Sequence, residues 1–452
     1  MSVDRRNLLA ATATAGLGLG LVSASARGTS AAQSTAPAHM KSFDVGPIRG
    51  DATVRLQRVI DQAATLGRPV QLGPGYYDIR GSLRLRPNTK LIGSRGLTTI
   101  DLTGNGLIIA ENASNVLLAG LTINGRANKN TSKDNALLTF TASSDLQIED
   151  VVVHAAPVHA IRLWRASGRI ERCHFEHVGH TAIVSGNATT GLDISHNIIR
   201  HAGNNGIVIW RDKRGVDGSQ ITNNDISHVR SYAGGSGQNG NAINAFRADH
   251  VLVSTNTIAD CAYSAVRCNS ASNAQIVANN CRQIGEVALY AEFGFEGAVI
   301  ANNLVDGAAT GIEVTNFKEG GRLATVNGNI IRNLYRREHE PVDKRGVGIH
   351  VEADTVVTGN TIEGAPTIGI AVGWGQWIRD VAINGNLIRN AGIGIGVSAN
   401  GKPGAVLIAN NLIRATRDGA VRLLDHNAVV GRPLENGTAN NAPAVLSANL
   451  MS

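Results

Sequence analysis

A short motif recurs along most of the chain: an apolar residue, two others, Asn, one more, then an apolar residue again. It reads Ile194…Asn197…Ile199, Ile221…Asn224…Ile226, Val253…Asn256…Ile258, Ile300…Asn303…Val305 and Val326…Asn329…Ile331. It continues as Val357…Asn360…Ile362, Ile383…Asn386…Ile388, Ile408…Asn411…Ile413 and Leu446…Asn449…Met451. Val277…Asn280 keeps the Asn but carries Arg282 at the last position, and earlier copies have Leu121, Val151 and Cys173 where Asn belongs. From Cys173 to Asn411 the copies follow at 23 to 32 residues. A second motif follows each first one, a small residue and then strict alternation: Gly206–Trp210, Ala242–Phe246, Gly311–Thr315, Gly348–Glu352 and Gly369–Gly373.

Alternation is a strand signal, and two such segments in about 25 residues leave no room for a helix. A period in the twenties suits a leucine-rich repeat or a parallel β-helix. No Leu-x-x-Leu-x-Leu frame repeats, so the pattern predicts an all-β, parallel β-helix of about a dozen coils. Each coil stacks about 4.8 Å from the last. Apolar alternates point inward, and the recurring Asn sits at a tight turn where it bonds its counterparts above and below. The open end of such a solenoid needs a cover. Residues 51–67 supply one: Leu56, Val59, Ile60, Ala63 and Ala64 share a helical face, Asp51 or Thr53 caps the start, and Gly67 ends it. The Gly-rich runs Gly16–Gly20 and Gly392–Gly396 fall in the leader and in a strand, and are not phosphate loops.

The N-terminus has a different character. Arg5-Arg6, then Leu8-Leu9, precede a weakly apolar, Gly-rich run and small residues around Ala26 and Ala32. This resembles a twin-arginine export signal. The expected organisation is a signal peptide over 1–32, a linker over 33–47 and a single domain over 48–452. The twin-arginine translocase is then a transient partner, and the expected location is periplasmic or secreted. No segment reaches the ~18 apolar residues of a membrane span. The net charge of +7 drops to +5 once the leader's three Arg and one Asp are removed. That mild surplus tolerates an acidic polysaccharide, and the absence of basic runs with interleaved aromatics argues against nucleic acid. Cys173, Cys261, Cys268 and Cys281 do not match between adjacent repeats, so no essential disulfide is expected.

The segment Asp51-x-Thr53, Leu56-Gln57, then Val70-x-Leu72-x-Pro74-Gly75-x-Tyr77 resembles the N-terminal cap of pectate-lyase-like right-handed β-helices. With the leader and the Asn-Ile and Gly-Ile coils, the whole mature chain is similar to a twin-arginine-translocated repeat family of that superfamily. The resemblance implies a right-handed solenoid and a polysaccharide partner, with the groove on the Gly-Ile strand face. In polygalacturonases an Asp-Asp pair precedes a strand like Gly206–Trp210. Here Asn204-Asn205 stands in its place, which argues against that hydrolase mechanism at that coil.

Two outward columns follow from setting the first inward residue of each Gly-Ile strand to zero. The plus-one column includes Arg162, Asn244, Arg267, Tyr290, Glu313 and His350. The plus-three column includes Trp164, Trp210, Phe246, Asn269, Glu292 and Glu352. Aromatics occupy the early coils, ionisable groups the middle ones, and the late coils are mostly blank. Insertions at Ser231–Asn241 and Tyr335–Arg345 are placed to wall the middle zone. The candidate catalytic residues are therefore Tyr290, Glu292, Glu313, His350 and Glu352. Trp164, Trp210, Asn244, Phe246, Arg267 and Lys318 are the candidates for substrate binding. A further column of His177, His201, His228 and Asp260 reads as a stacked turn ladder more than a metal site, and His174-x-x-His177-x-x-His180 crosses a strand and a turn.

Three functions fit these columns. A uronan lyase or epimerase needs a base and a cation for the developing enolate, with Arg267 on the carboxylate, Tyr290 and His350 flanking Glu313, and room for a divalent cation. An inverting glycosidase needs two carboxylates about 8 Å apart, the spacing backbone geometry gives Glu292/Glu313 and Glu313/Glu352. A noncatalytic envelope or glycan-binding protein needs only the scaffold.

Overall fold

The computed structural model describes residues 41–187, 189–437 and 442–452. The signal peptide, Arg5-Arg6 and the first part of the expected linker lie outside the described residues. Among the described residues no helix is long and apolar enough to cross a membrane.

The fold is a right-handed parallel β-solenoid of about 15 turns. One sheet stacks sixteen strands in chain order, from Phe43–Val45 to Ala444–Ser447, and a second collects the strands of the remaining faces. The extra coils beyond a dozen lie before Cys173, where the Asn signature is missing. The solenoid also starts inside the segment read as linker, because Phe43–Val45 pairs with Val70–Leu72. The inward residues form one continuous dry core that includes Ile161, Ile207, Ile243, Leu289, Ile312, Ile349 and Ile370.

The recurring Asn residues form the expected ladder. In each, Oδ1 accepts from the backbone N–H and the Nδ2 of the Asn one coil earlier, as Asn224 does from Asn197 at 3.0 Å each. Nδ2 also donates to the carbonyl of the apolar residue that opens the preceding coil's motif, as Asn329 does to Ile300. The run extends to Asn449, where Asn436 closes it from a loop. Cys173 holds the same position, with its N–H donating to Asn197 Oδ1 and its thiol to the Ile148 carbonyl. One position differs from the sequence reading. The ladder residue between Asn256 and Asn303 is Asn279, and Asn280 is exposed. The motif there is Ile276…Asn279…Cys281, with Cys as the apolar member, so Arg282 is no exception.

The Gly of each Gly-Ile strand answers to coil spacing. A Cβ at Gly348 would lie 2.3 Å from the Gly369 carbonyl of the next coil, so this column accepts only very small residues. At the N-terminal end the helix Thr53–Thr65 buries Leu56, Ile60, Ala63 and Ala64 over the core. Its cap residue is Ala52, and the Asp51 carboxylate accepts the Thr53 N–H at 2.9 Å. Gln57 serves the exposed edge: its amide donates to the Arg84 carbonyl and accepts the Arg84 N–H, supplying both backbone partners that a further strand would have brought. All four cysteines are buried free thiols.

Asn329→Ala should destabilise the fold by roughly 3 kcal/mol or more, because it strands buried donors and an acceptor on two coils. Asn280→Ala should shift stability by less than about 0.5 kcal/mol. Urea midpoints of the two variants check both the ladder and its register.

Candidate functional site

Strand register aligns the plus-one column as expected. Val208 pairs with Asn244, Asn244 with Arg267, Arg267 with Tyr290, Tyr290 with Glu313, and Glu313 with His350. Trp210–Phe246–Asn269–Glu292 run in parallel two residues on. The inward–outward assignment therefore holds.

The surroundings differ from an open groove. Glu292 and Glu313 are each only 1% exposed, and Arg267, Tyr290, His350 and Glu352 are buried too. Both insertions converge on this zone. Gly237 of the first loop accepts from Asn244 Nδ2, and its backbone passes near Arg267. Asn204 and Asn205 pin that loop: Asn204 Oδ1 accepts the Ala233 N–H at 2.7 Å and Asn205 Oδ1 the Asn241 N–H at 3.1 Å. The asparagines at the Asp-Asp position are thus structural. The second loop carries Lys344 inward, held by its carbonyl accepting from Thr310 Oγ1.

Arg267 is committed to an internal partner rather than facing a substrate. Its Nε and one terminal nitrogen donate to the two oxygens of Glu292 at 2.6 and 2.8 Å, and Asn269 adds a bond of 2.7 Å. The other terminal nitrogen lies 3.6 Å from Glu286 without a hydrogen bond. Lys344 Nζ donates to the second Glu286 oxygen at 3.3 Å. Tyr290 lies between the two cations, 4.9 Å from the Arg267 guanidinium and 5.0 Å from Lys344. Glu352 accepts the Phe317 N–H at 2.6 Å. His350 Nδ1 stands 4.0 Å from Glu313 Oε1, beyond hydrogen-bond reach, and Glu313 Oε1 and His350 Nε2 have no hydrogen-bond partner.

These surroundings push protonation in opposite directions. Burial pushes the Glu313 carboxyl up, but the Lys344 ammonium, the His350 imidazole and the Tyr290 hydroxyl outweigh it and hold it below its ordinary value. Burial pushes Glu352 up, and the His350 charge and the Phe317 and Asn316 amides do not cancel it. Burial disfavours the His350 imidazolium, yet Glu313 and then Glu352 and Asp343 raise it above its ordinary value. Tyr290 is raised well above the phenol range by burial and then by Glu313 and Glu292.

The remaining expected residues lie outside this cluster. Trp164 and Trp210 are half-buried neighbours with ring centroids 5.9 Å apart, and Trp164 lies across Gly186 of the next coil. Phe246 stacks under Arg247. Lys318 is exposed on a short turn at Phe317–Glu319, and the lysine inside the site is Lys344. Sequence reasoning missed Lys344, Glu286 and Glu340, although the loop that bears Lys344 and Glu340 stood out by length and charge. It also missed a cleft of about 590 Å³ lined by Trp374, Trp377, Asn400 and His426. There a two-residue turn pairs Trp374 with Trp377, and Phe317, whose N–H binds Glu352, packs its ring edge-on to Trp377.

Residues 159–320 match the family model described as a right handed beta helix region. A search of curated protein sequences returns no match. Among solved structures, the catalytic unit of the thermostable GH87 alpha-1,3-glucanase of Streptomyces thermodiastaticus strain HF3-3 is similar at 15% identity and a TM-score of 0.51. The match covers 91% of this chain and 68% of that one. A PL6 alginate lyase in complex with a trisaccharide is similar at 14% identity and a TM-score of 0.52, with 89% and 96% covered. At these identities the likeness is one of fold.

The raised His350 value has a consequence for stability. Its contribution is complete below the ordinary histidine value of 6.5 and is lost as pH rises through the raised folded value. Urea unfolding of the wild type and His350→Gln across neutral to alkaline pH should show this loss only in the wild type. Matching pH profiles would contradict it.

Proposed function

We propose that the protein is an exported glycoside hydrolase that cleaves a neutral polysaccharide, with Glu352 as general acid and Glu313 as general base. The observation that carries this reading is the split of two buried carboxyls on adjacent coils, Glu352 raised and Glu313 lowered. Carboxyl pairs driven apart in this way are the usual acid and base of glycoside cleavage. Glu313 pairs with His350, so Glu352 lies two residues further along the next coil. Strand rise and spacing put the two about 8 Å apart. That backbone separation falls in the range of carboxyl pairs in inverting enzymes.

The same geometry weighs against the uronan lyase. Arg267 is spent on Glu292, and Tyr290 is too weakly acidic to serve as a phenolate base at neutral pH. Aromatic residues flank the cluster at Trp164, Trp210 and Phe246 and again at Trp374 and Trp377, where sugar faces can stack. Export to the periplasm or beyond rests on the leader.

A second reading has its own support. The burial of every acid in the cluster suits a charged rivet that fixes two loops of a noncatalytic glycan-binding protein.

Incubation with neutral glucans and with uronans separates these readings. Hydrolysis releases reducing ends without the ultraviolet absorbance of an unsaturated uronate, elimination produces that absorbance, and the rivet produces neither. On the substrate found, Glu313→Gln should lower turnover at least ~100-fold. Because Glu313 is buried against Lys344, the same change should also cost stability, about 1–3 kcal/mol. Full activity in the variant would remove Glu313 from the mechanism.

A further inference from the structure

Far from the acid cluster, three imidazoles run down one corner of the solenoid, with a fourth, His154, on the strand beside them. His177 stacks on His201 with ring centroids 4.9 Å apart, His201 meets His228 at 4.6 Å, and His154 meets His177 edge-on at 5.4 Å. His177, His201 and His228 all have φ near +55°. The same left-handed corner position holds Gln283, Gly307, Asn333 and Ala415 on later coils. Turn geometry therefore accounts for a small or polar residue there and does not call for histidine.

His154 and Glu176 do not belong to that corner column. They pair across adjacent strands, so their side chains leave the sheet side by side. His177 follows Glu176 at the turn and brings Nδ1 to 3.8 Å from Glu176 Oε1. One donor atom each from His154, Glu176 and His177 lies within 4.8 Å of the others. Glu176 is not claimed by the arginine beside it in the column: Arg200 pairs with Glu176 in register but turns its guanidinium to Asp225. His174, two residues earlier on the same strand and face, keeps Nε2 buried and without a partner.

We propose that His154, Glu176 and His177 form a zinc-binding site on the outer face of the coils. Two imidazoles and a carboxylate are a donor set that zinc accepts, with a fourth position left to water. Tetrahedral zinc at about 2.0–2.1 Å from nitrogen and oxygen wants its donors about 3.3 Å apart. The solvent-accessible side chains reach that by rotamer adjustment. The His201 ring of the next coil stacks on His177 and gives it a flat neighbour to pack against.

Calorimetric titration of the full chain with zinc chloride at slightly alkaline pH should show saturable binding of one zinc per chain. Affinity should fall as pH drops through the histidine range, because imidazole must be neutral to ligate. His154→Ala with His177→Ala should abolish the binding. Glu176→Gln should weaken it at least about tenfold and serves alone if the double variant fails to fold, which melting without zinc reports. His228→Ala should bind as the wild type does. Absence of saturable binding to the wild type, undiminished binding to the variants of His154, His177 or Glu176, or equal loss in His228→Ala would each overturn the site.

Discussion

Everything in this solenoid depends on each coil meeting its own copy one step later. A parallel stack leaves every turn with backbone groups that must find partners along the axis. The Asn ladder provides them from within the sequence repeat. One amide bridges three coils, since its Nδ2 reaches the preceding coil's carbonyl while bonding the next Asn, and its Oδ1 serves the previous one. The register is fixed as a result. A slip of one residue would put every inward Ile out and every outward Glu in.

Fixed register turns spaced sequence motifs into neighbouring side chains. Tyr290, Glu313 and His350 are far apart along the chain yet occupy consecutive coils of one column. The scaffold alone would leave them in solvent. The two inserted loops change their chemistry by covering them, and Lys344 arrives from such a loop to face Glu286. Burial strengthens every charge interaction in the cluster, and the differences between neighbours set which carboxyl gains a proton and which loses one.

The scaffold was legible in the sequence because it repeats. The columns and the ladder follow from alternation and the cap from its helical apolar face, and the slip in the ladder, Asn280 for Asn279, arose where Cys281 stands in for an aliphatic residue. The site was legible only as a strand face. Whether an outward residue is wet or buried depends on how a loop folds back, which periodicity does not encode. Lys344 sits in such a loop, whereas Lys318, much nearer to Glu313 in sequence, stays exposed. The Trp374–Trp377 turn escaped because it lies just past its strand, outside both columns, although two tryptophans around Gly-Gln were a visible signal.

Neighbouring carboxyls at 313 and 352 are pushed in opposite directions, and so hold protons differently. Infrared difference spectroscopy measures this directly, through the carbonyl stretch of a protonated carboxyl followed against pH in wild type, Glu352→Gln and Glu313→Gln. The expected result is a protonated band that persists above the ordinary glutamate range and loses one component in Glu352→Gln, the remainder belonging to the buried Glu340, with Glu313 ionised down to pH below that range. Two carboxyls that titrate together at the ordinary glutamate value would contradict it.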